Sequence, residues 1–250
     1  MKILLSNEIF KLKRQFFLLF ALFLTILPVI TGGMGAIISG GKTYYDLFFF
    51  INNQYSMFYP MVVFIIVSTL FYVEYKNKTY ITWILYRYRK LTLFGSKILV
   101  SMLVSLIMSI SLLLIFGGLV LGLNIFSGLE IQNHEILRSL GGFLVETVMI
   151  IPVATMMGAI VINLSRNMVI SSILGIFYGF FSCLFIGMDY GKFIPGAFSY
   201  RVCMFILDKD SFYENVRASL MYGWISYFLI ATIVFIMAIL IFNKKKKIER

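Results

Sequence analysis

Apolar residues run through this chain in long blocks separated by short polar interruptions. Six blocks stand out: Gln15–Ile38, Met57–Val73, Ile98–Leu123, Leu140–Ile162, Met168–Met188 and Ser219–Phe242. Each approaches the ~20 residues that ~30 Å of hydrocarbon asks of a helix. Inside a bilayer every backbone N–H and C=O must be satisfied internally, so uninterrupted apolar runs of this length are helices. The expected fold is an all-α membrane protein with six transmembrane helices, forming one domain over residues 1–250.

The polar interruptions carry the rest of the pattern. In residues 1–14, Leu5, Ile9 and Leu12, continued by Phe16, recur at i, i+4, i+7 and i+11, while Asn7, Lys11 and Arg14 lie opposite. That is an amphipathic helix suited to the membrane interface, with a plain extension of the first span as the alternative. The apolar run behind it is longer than a signal-peptide core and ends in no A-x-A-like site, so it reads as a retained span. Between spans five and six, residues 189–217 are too apolar for a solvated loop and are broken at Pro195–Gly196. A re-entrant or interfacial external segment is expected there.

Charge then orients the chain. Residues 74–97 carry six cations: Lys76, Lys78, Arg87, Arg89, Lys90 and Lys97. With the N-terminus inside, sixteen of the twenty-two Lys and Arg fall on the cytoplasmic side, and both basic termini share it. Short loops rich in Lys and Arg stay cytoplasmic, so the reading is N-in, C-in. The chain is 60% hydrophobic, 13% charged and has mean hydropathy +0.93. Its net charge of +11 sits at membrane-flanking positions. Cations placed there serve topology and anionic lipid, and no basic, aromatic-interleaved face is left for nucleic acid.

Few residues can carry chemistry. Glu146 lies inside the fourth span, where an ionisable group marks function unless it is protonated or reaches the outer interface. Pro152, two turns further in, is expected to kink that helix. Glu146 and Pro152 together are assigned to a substrate path. Ser171, Gly175, Gly179, Cys183 and Gly187 repeat every four residues on the fifth span, a small-residue face that lets helices approach closely. His134 stands alone in an outer loop, and Cys183 and Cys203 have neither metal nor disulfide spacing, so no metal or general acid–base site is expected. Gly40-Gly41-Lys42-Thr43 resembles the end of a phosphate-binding loop, but Ala36 stands where its first glycine belongs and a membrane span precedes it. Hence no cofactor is expected, and no ATP site.

The order of these parts resembles the ABC-2 type permeases. An interfacial helix opens the chain with NEIFKLKRQ, a charged segment joins spans two and three, and an apolar outer segment joins spans five and six. Glu74, Thr79, Arg87 or Arg89, and Lys97 fit that family's acid, Thr, Arg and Lys around the cytoplasmic loop, although Asn77-Lys78 stands where a small residue often precedes the Thr. By size and lack of a fused domain, the chain further resembles the permeases of lantibiotic and bacteriocin self-immunity exporters. The resemblance implies a bacterial cytoplasmic-membrane protein that is not itself an enzyme. It implies a second permease subunit and a separate ATPase as partners, with peptide or another amphiphile exported. It also implies that residues 74–97 couple to the ATPase through Glu74, Thr79, Trp83, Arg87, Arg89 and Lys97, aided by the Leu5, Ile9, Leu12, Lys11, Arg14 helix. Two other classes stay open: a self-contained channel or secondary transporter, which would move solute without an ATPase, and a non-transporting assembly factor.

Overall fold

A computed structural model describes residues 2–13, 15–38, 44–77, 89–127, 133–209 and 215–244. Among them the regular structure is helical: α1 (Lys2–Leu12), α2 (Phe17–Ile38), α3 (Tyr44–Lys76), α4 (Lys90–Ser127), α5 (Asn133–Ser165), α6 (Met168–Leu184), a 3-10 turn (Asp189–Phe193), α7 (Pro195–Leu207) and α8 (Val216–Lys244). Of these, α2, α3, α4, α5 and α8 are long and apolar enough to cross a membrane. The fifth expected span, Met168–Met188, is shorter: α6 stops at Leu184, with Phe185 as its C-cap. Its 17 residues reach about 25 Å at ~1.5 Å per residue, the lower end of spanning length.

Other helices outrun the apolar blocks. α3 begins at Tyr44, taking in residues 44–56 that were expected as an outer loop. Phe48, Ile51, Tyr55 and Tyr59 are all buried there, and their i, i+3, i+7, i+11 spacing continues one helical stripe outward past Met57. α4 likewise starts at Lys90, where Leu93 and Phe94 already face the core.

α3 is the central helix. The most apolar stretch of α3 is 72% buried against 17% for α8, and α2, α4, α5 and α6 all pack on it. The seam with α6 uses the small residues noted above. A Cβ on Gly179 would sit 2.0 Å from the Met57 carbonyl oxygen, and one on Gly175 would sit 2.8 Å from Phe64 Cβ. Any side chain at Gly179 would therefore push the two backbones apart. Beside them the Ser68 hydroxyl donates to Ser171 at 2.5 Å. Gly187 does not join this face: it lies beyond the helix end, where an added Cβ would meet nothing within 4 Å, and the buried series closes at Ser182 instead. Between α5 and α6 the chain turns at Arg166 in a left-handed conformation (φ 52°), and Asn167 Oδ1 caps α6 by accepting from the Val169 amide at 2.9 Å.

The segment 189–217 resolves into the 3-10 turn, α7 and the start of α8. Pro195 occupies the first turn of α7, where its missing N–H costs nothing. Eleven of its thirteen residues are buried, with α5, α6, α8 and α3 around it. A helix lying on the bilayer surface would leave one face open, whereas α7 is enclosed on most sides. Arg201 holds it in place: Nε donates to the Ile186 carbonyl at 2.8 Å and Nη2 to that of Met188.

Candidate functional site

The N-terminal helix departs from its expected stripe. Leu5 is half-buried and Leu12 buried, but Ile9 is 52% and Phe16 84% exposed. The face turned to the protein is Leu4, Glu8, Lys11 and Leu12. Charge pairing, not apolarity alone, selects it. Arg14 lies outside the described residues.

Glu8 and Lys11, one turn apart on α1, meet Glu74 at the end of α3 and Lys97 in the second turn of α4. Lys97 Nζ donates to Glu74 Oε1 at 2.5 Å, to Glu8 Oε2 at 2.8 Å and to the Leu70 carbonyl at 3.3 Å. Lys11 Nζ donates to Glu74 Oε1 at 2.6 Å and to Glu8 Oε1 at 2.8 Å. Two cations thus bracket two carboxylates. The Lys97 and Glu74 side chains are 1% and 2% exposed, and that of Lys11 is 37%. The Phe71 ring lies beneath the Lys97 ammonium, 5.6 Å from centroid to nitrogen, which adds a cation–π contact. Burial by itself would lower the Lys11 pKa. The hydrogen bonds to Glu74 and Glu8, with their charges, outweigh it and hold the Lys11 ammonium above the usual lysine range. Buried ions persist only when paired and hydrogen-bonded, and this quartet meets both conditions across three helices. It works as a clasp: α3 and α4 cannot part here without stranding a charge, and α1 adds a second carboxylate and a second cation to the joint.

Of the residues expected to couple to a partner, Glu74 and Lys97 therefore face inward, joined to the interfacial-helix residue Lys11. Arg89 is exposed just before α4, its carbonyl accepting from the Thr92 and Leu93 amides at 2.9 and 3.3 Å. Thr79, Trp83 and Arg87 fall in residues 78–88, outside the described residues. Glu8 entered the sequence reading only as the acid of the NEIFKLKRQ opening, with no coupling or interfacial role given to it. Its signal was present, as the lone acid in an otherwise basic opening helix.

A second polar region lies deeper. Glu146 is wholly buried on α5. Asn52 and Ser56 of α3 and Cys203 of α7 border its carboxyl. Next to it, Thr147 bonds the Tyr55 hydroxyl at 2.6 Å and the Ser109 hydroxyl at 3.1 Å, and Tyr59 donates to the Ser105 carbonyl at 2.8 Å. The buried serines Ser101, Ser105 and Ser109 line α4 at four-residue intervals, so this helix offers its neighbours a polar stripe. Pro152 is half-buried two turns beyond Glu146. Among the described residues no cluster of His, Cys, Asp and Glu could hold a metal ion.

Long apolar helices, with a buried ionic clasp at one end of the bundle, define a multi-pass membrane protein. The family described as ABC-2 family transporter protein matches residues 4–182, a span that holds the clasp, Glu146 and the α3–α6 seam. The chain belongs to that family. No curated protein is a detectable relative of the chain. Members of the family are membrane components of ABC transporters rather than ATPases themselves, so an ATPase is this chain's partner.

Proposed function

We propose that this single domain is the permease subunit of an ATP-driven exporter in a bacterial cytoplasmic membrane. It pairs with a second permease subunit and a separate ATPase. In this reading α6 also spans the membrane, as the fifth of six spans, both termini and residues 74–97 are cytoplasmic, and α1 lies in the inner interface. The ATPase is met by Arg89 and the segment 78–88, which holds Thr79, Trp83 and Arg87. The observation that carries the reading is the clasp. Lys97 and Glu74 stand at the two ends of that segment and are bound to each other and to α1. A push on the segment therefore moves α3, α4 and α1 as one body, and α3, the central helix, carries the displacement into the bundle. The exported cargo is a peptide of lantibiotic or bacteriocin type, or another amphiphile, removed from the membrane in self-immunity or resistance. Glu146 and Pro152 stand on its path.

Co-purification tests the partner. The tagged permease should retain its ATPase, and replacing Arg89 and Arg87 together by Ala should release it, while Glu146→Gln should not. Orientation is tested in intact cells with an Arg89→Cys variant in a Cys183→Ser background. A membrane-impermeant thiol reagent should fail from outside and succeed on inverted vesicles; labelling from outside overturns the topology. Solute movement by the purified chain without any ATPase would instead favour a self-contained transporter, the reading to which a carboxylate buried in mid-helix lends support.

A further inference from the structure

The buried carboxylate on α5 has surroundings unlike those of the clasp. Neither Glu146 oxygen makes a hydrogen bond of full geometry, although the Cys203 thiol, the Asn52 amide and the Ser56 hydroxyl stand close enough to interact with the carboxyl. Both polar atoms of the Asn52 amide and the Ser56 hydroxyl are equally buried and equally without such a bond. These two residues lie one turn apart on α3 and face the carboxyl together. From α7, Cys203 closes the third side, fully buried and bordering both Glu146 and Asn52. The titratable groups nearest the carboxyl are the phenols of Tyr55 and Tyr200 and the Cys203 thiol, none of them a cation. Arg201 is two residues from Cys203 on α7, hence on another side of that helix, where it binds the Ile186 and Met188 carbonyls.

A carboxylate inside a membrane bundle needs a counter-cation or a proton. Here the chain supplies no cation: the groups facing the carboxyl are the Asn52 amide, the Ser56 hydroxyl and the Cys203 thiol, all uncharged. Pro60 lacks the N–H that would engage the Ser56 carbonyl four residues back, so a further oxygen on the same turn is left without its helical donor. A proton would neutralise the carboxyl and supply a single O–H donor, enough for one of the facing oxygens and not for both. A small hard cation takes carboxylate, amide and hydroxyl oxygens at once, since oxygen ligands suit such ions. With a single negative charge present, a monovalent ion leaves the site neutral and a divalent one does not. We infer that Glu146, Asn52 and Ser56, closed over by α7, form a site for a dehydrated monovalent cation of the Na+ type. Discontinuous helical elements beside an intramembrane acid are a setting in which membrane proteins hold such ions. The site goes beyond the exporter reading and does not depend on it, because binding is read on the purified permease alone.

The test uses the full chain in detergent or nanodiscs at fixed ionic strength, with NaCl replacing choline chloride. The wild type should bind 22Na+ saturably, and its thermal midpoint should climb by several degrees as the site fills. Glu146→Gln should abolish both effects. Asn52→Ala and Ser56→Ala should each weaken 22Na+ binding by at least tenfold, and Ser56→Ala, which removes a single hydroxyl, keeps the comparison usable if the other variants do not fold. No saturable 22Na+ binding by the wild type overturns the assignment, and so does equal binding by Glu146→Gln. A midpoint that follows pH alone, without bound 22Na+, overturns it in favour of a lone proton.

Discussion

Two regions of this bundle bury carboxylates, and they do so by opposite means. At one end, Glu8 and Glu74 are shared between Lys11 and Lys97, so that each charge has its counter-charge within 3 Å. In mid-helix, Glu146 is as deeply buried but meets amide, hydroxyl and thiol groups instead of ammonium. A neutralised cluster is a mechanical joint: removing one member strands its partner. A carboxyl with no counter-charge beside it ties no helices together, and its burial costs more than that of an apolar residue in the same space.

That contrast can be broken by substitution. The largest effect is expected from Glu74→Ala, which leaves Lys97 buried with half its compensation: a loss of about 3–5 kcal/mol in unfolding free energy, measured by denaturant titration in detergent. Glu146→Gln, by contrast, should change stability in choline buffer by less than about 1 kcal/mol. If the two variants are equally destabilised, the distinction between joint and site fails. A purely steric contact gives an intermediate scale: Gly179→Val, forced against the Met57 carbonyl, should cost about 1–3 kcal/mol, whereas Gly187→Val, in open space, should cost almost nothing on the same assay. Within the clasp itself burial should grade the members. Lys11→Ala, on the half-exposed cation, should cost about 1 kcal/mol or less, well below the cost of Lys97→Ala.

The smallest effect is one of pH. Because the Lys11 pKa is raised in the folded protein, its stabilisation is complete below the unfolded lysine value of about 10.4 and is lost as pH climbs through the folded one. Fluorescence of a probe on α1 should therefore report loosening of that helix only in strongly alkaline buffer, and Lys11→Met should remove the transition.

Much of this was legible from residue order. The blocks of apolar residues located all the long helices, and the break at Arg166-Asn167 fell where the helix boundary lies. Glu74, Lys97 and Lys11 were each picked out, but separately, as charges bound for a partner or for lipid headgroups. Their mutual contact spans sequence separations of 23 and 63 residues, and no local periodicity encodes that. The early start of α3 was missed because Asn52, Asn53 and Gln54 look like loop. The stripe of Phe48, Ile51 and Tyr55 running through them carried the opposite signal.

Hydropathy and the placement of Lys and Arg were sufficient to define a polytopic helical membrane protein, because lipid enforces helix length and membrane insertion responds to loop charge. Which polar side chains meet was decided by packing alone. In hydrocarbon a buried polar group is stabilised by whatever lies across the helix interface, and that partner comes from a distant part of the chain. So the same residue type became a tied-down joint at Glu74 and an uncompensated acid at Glu146.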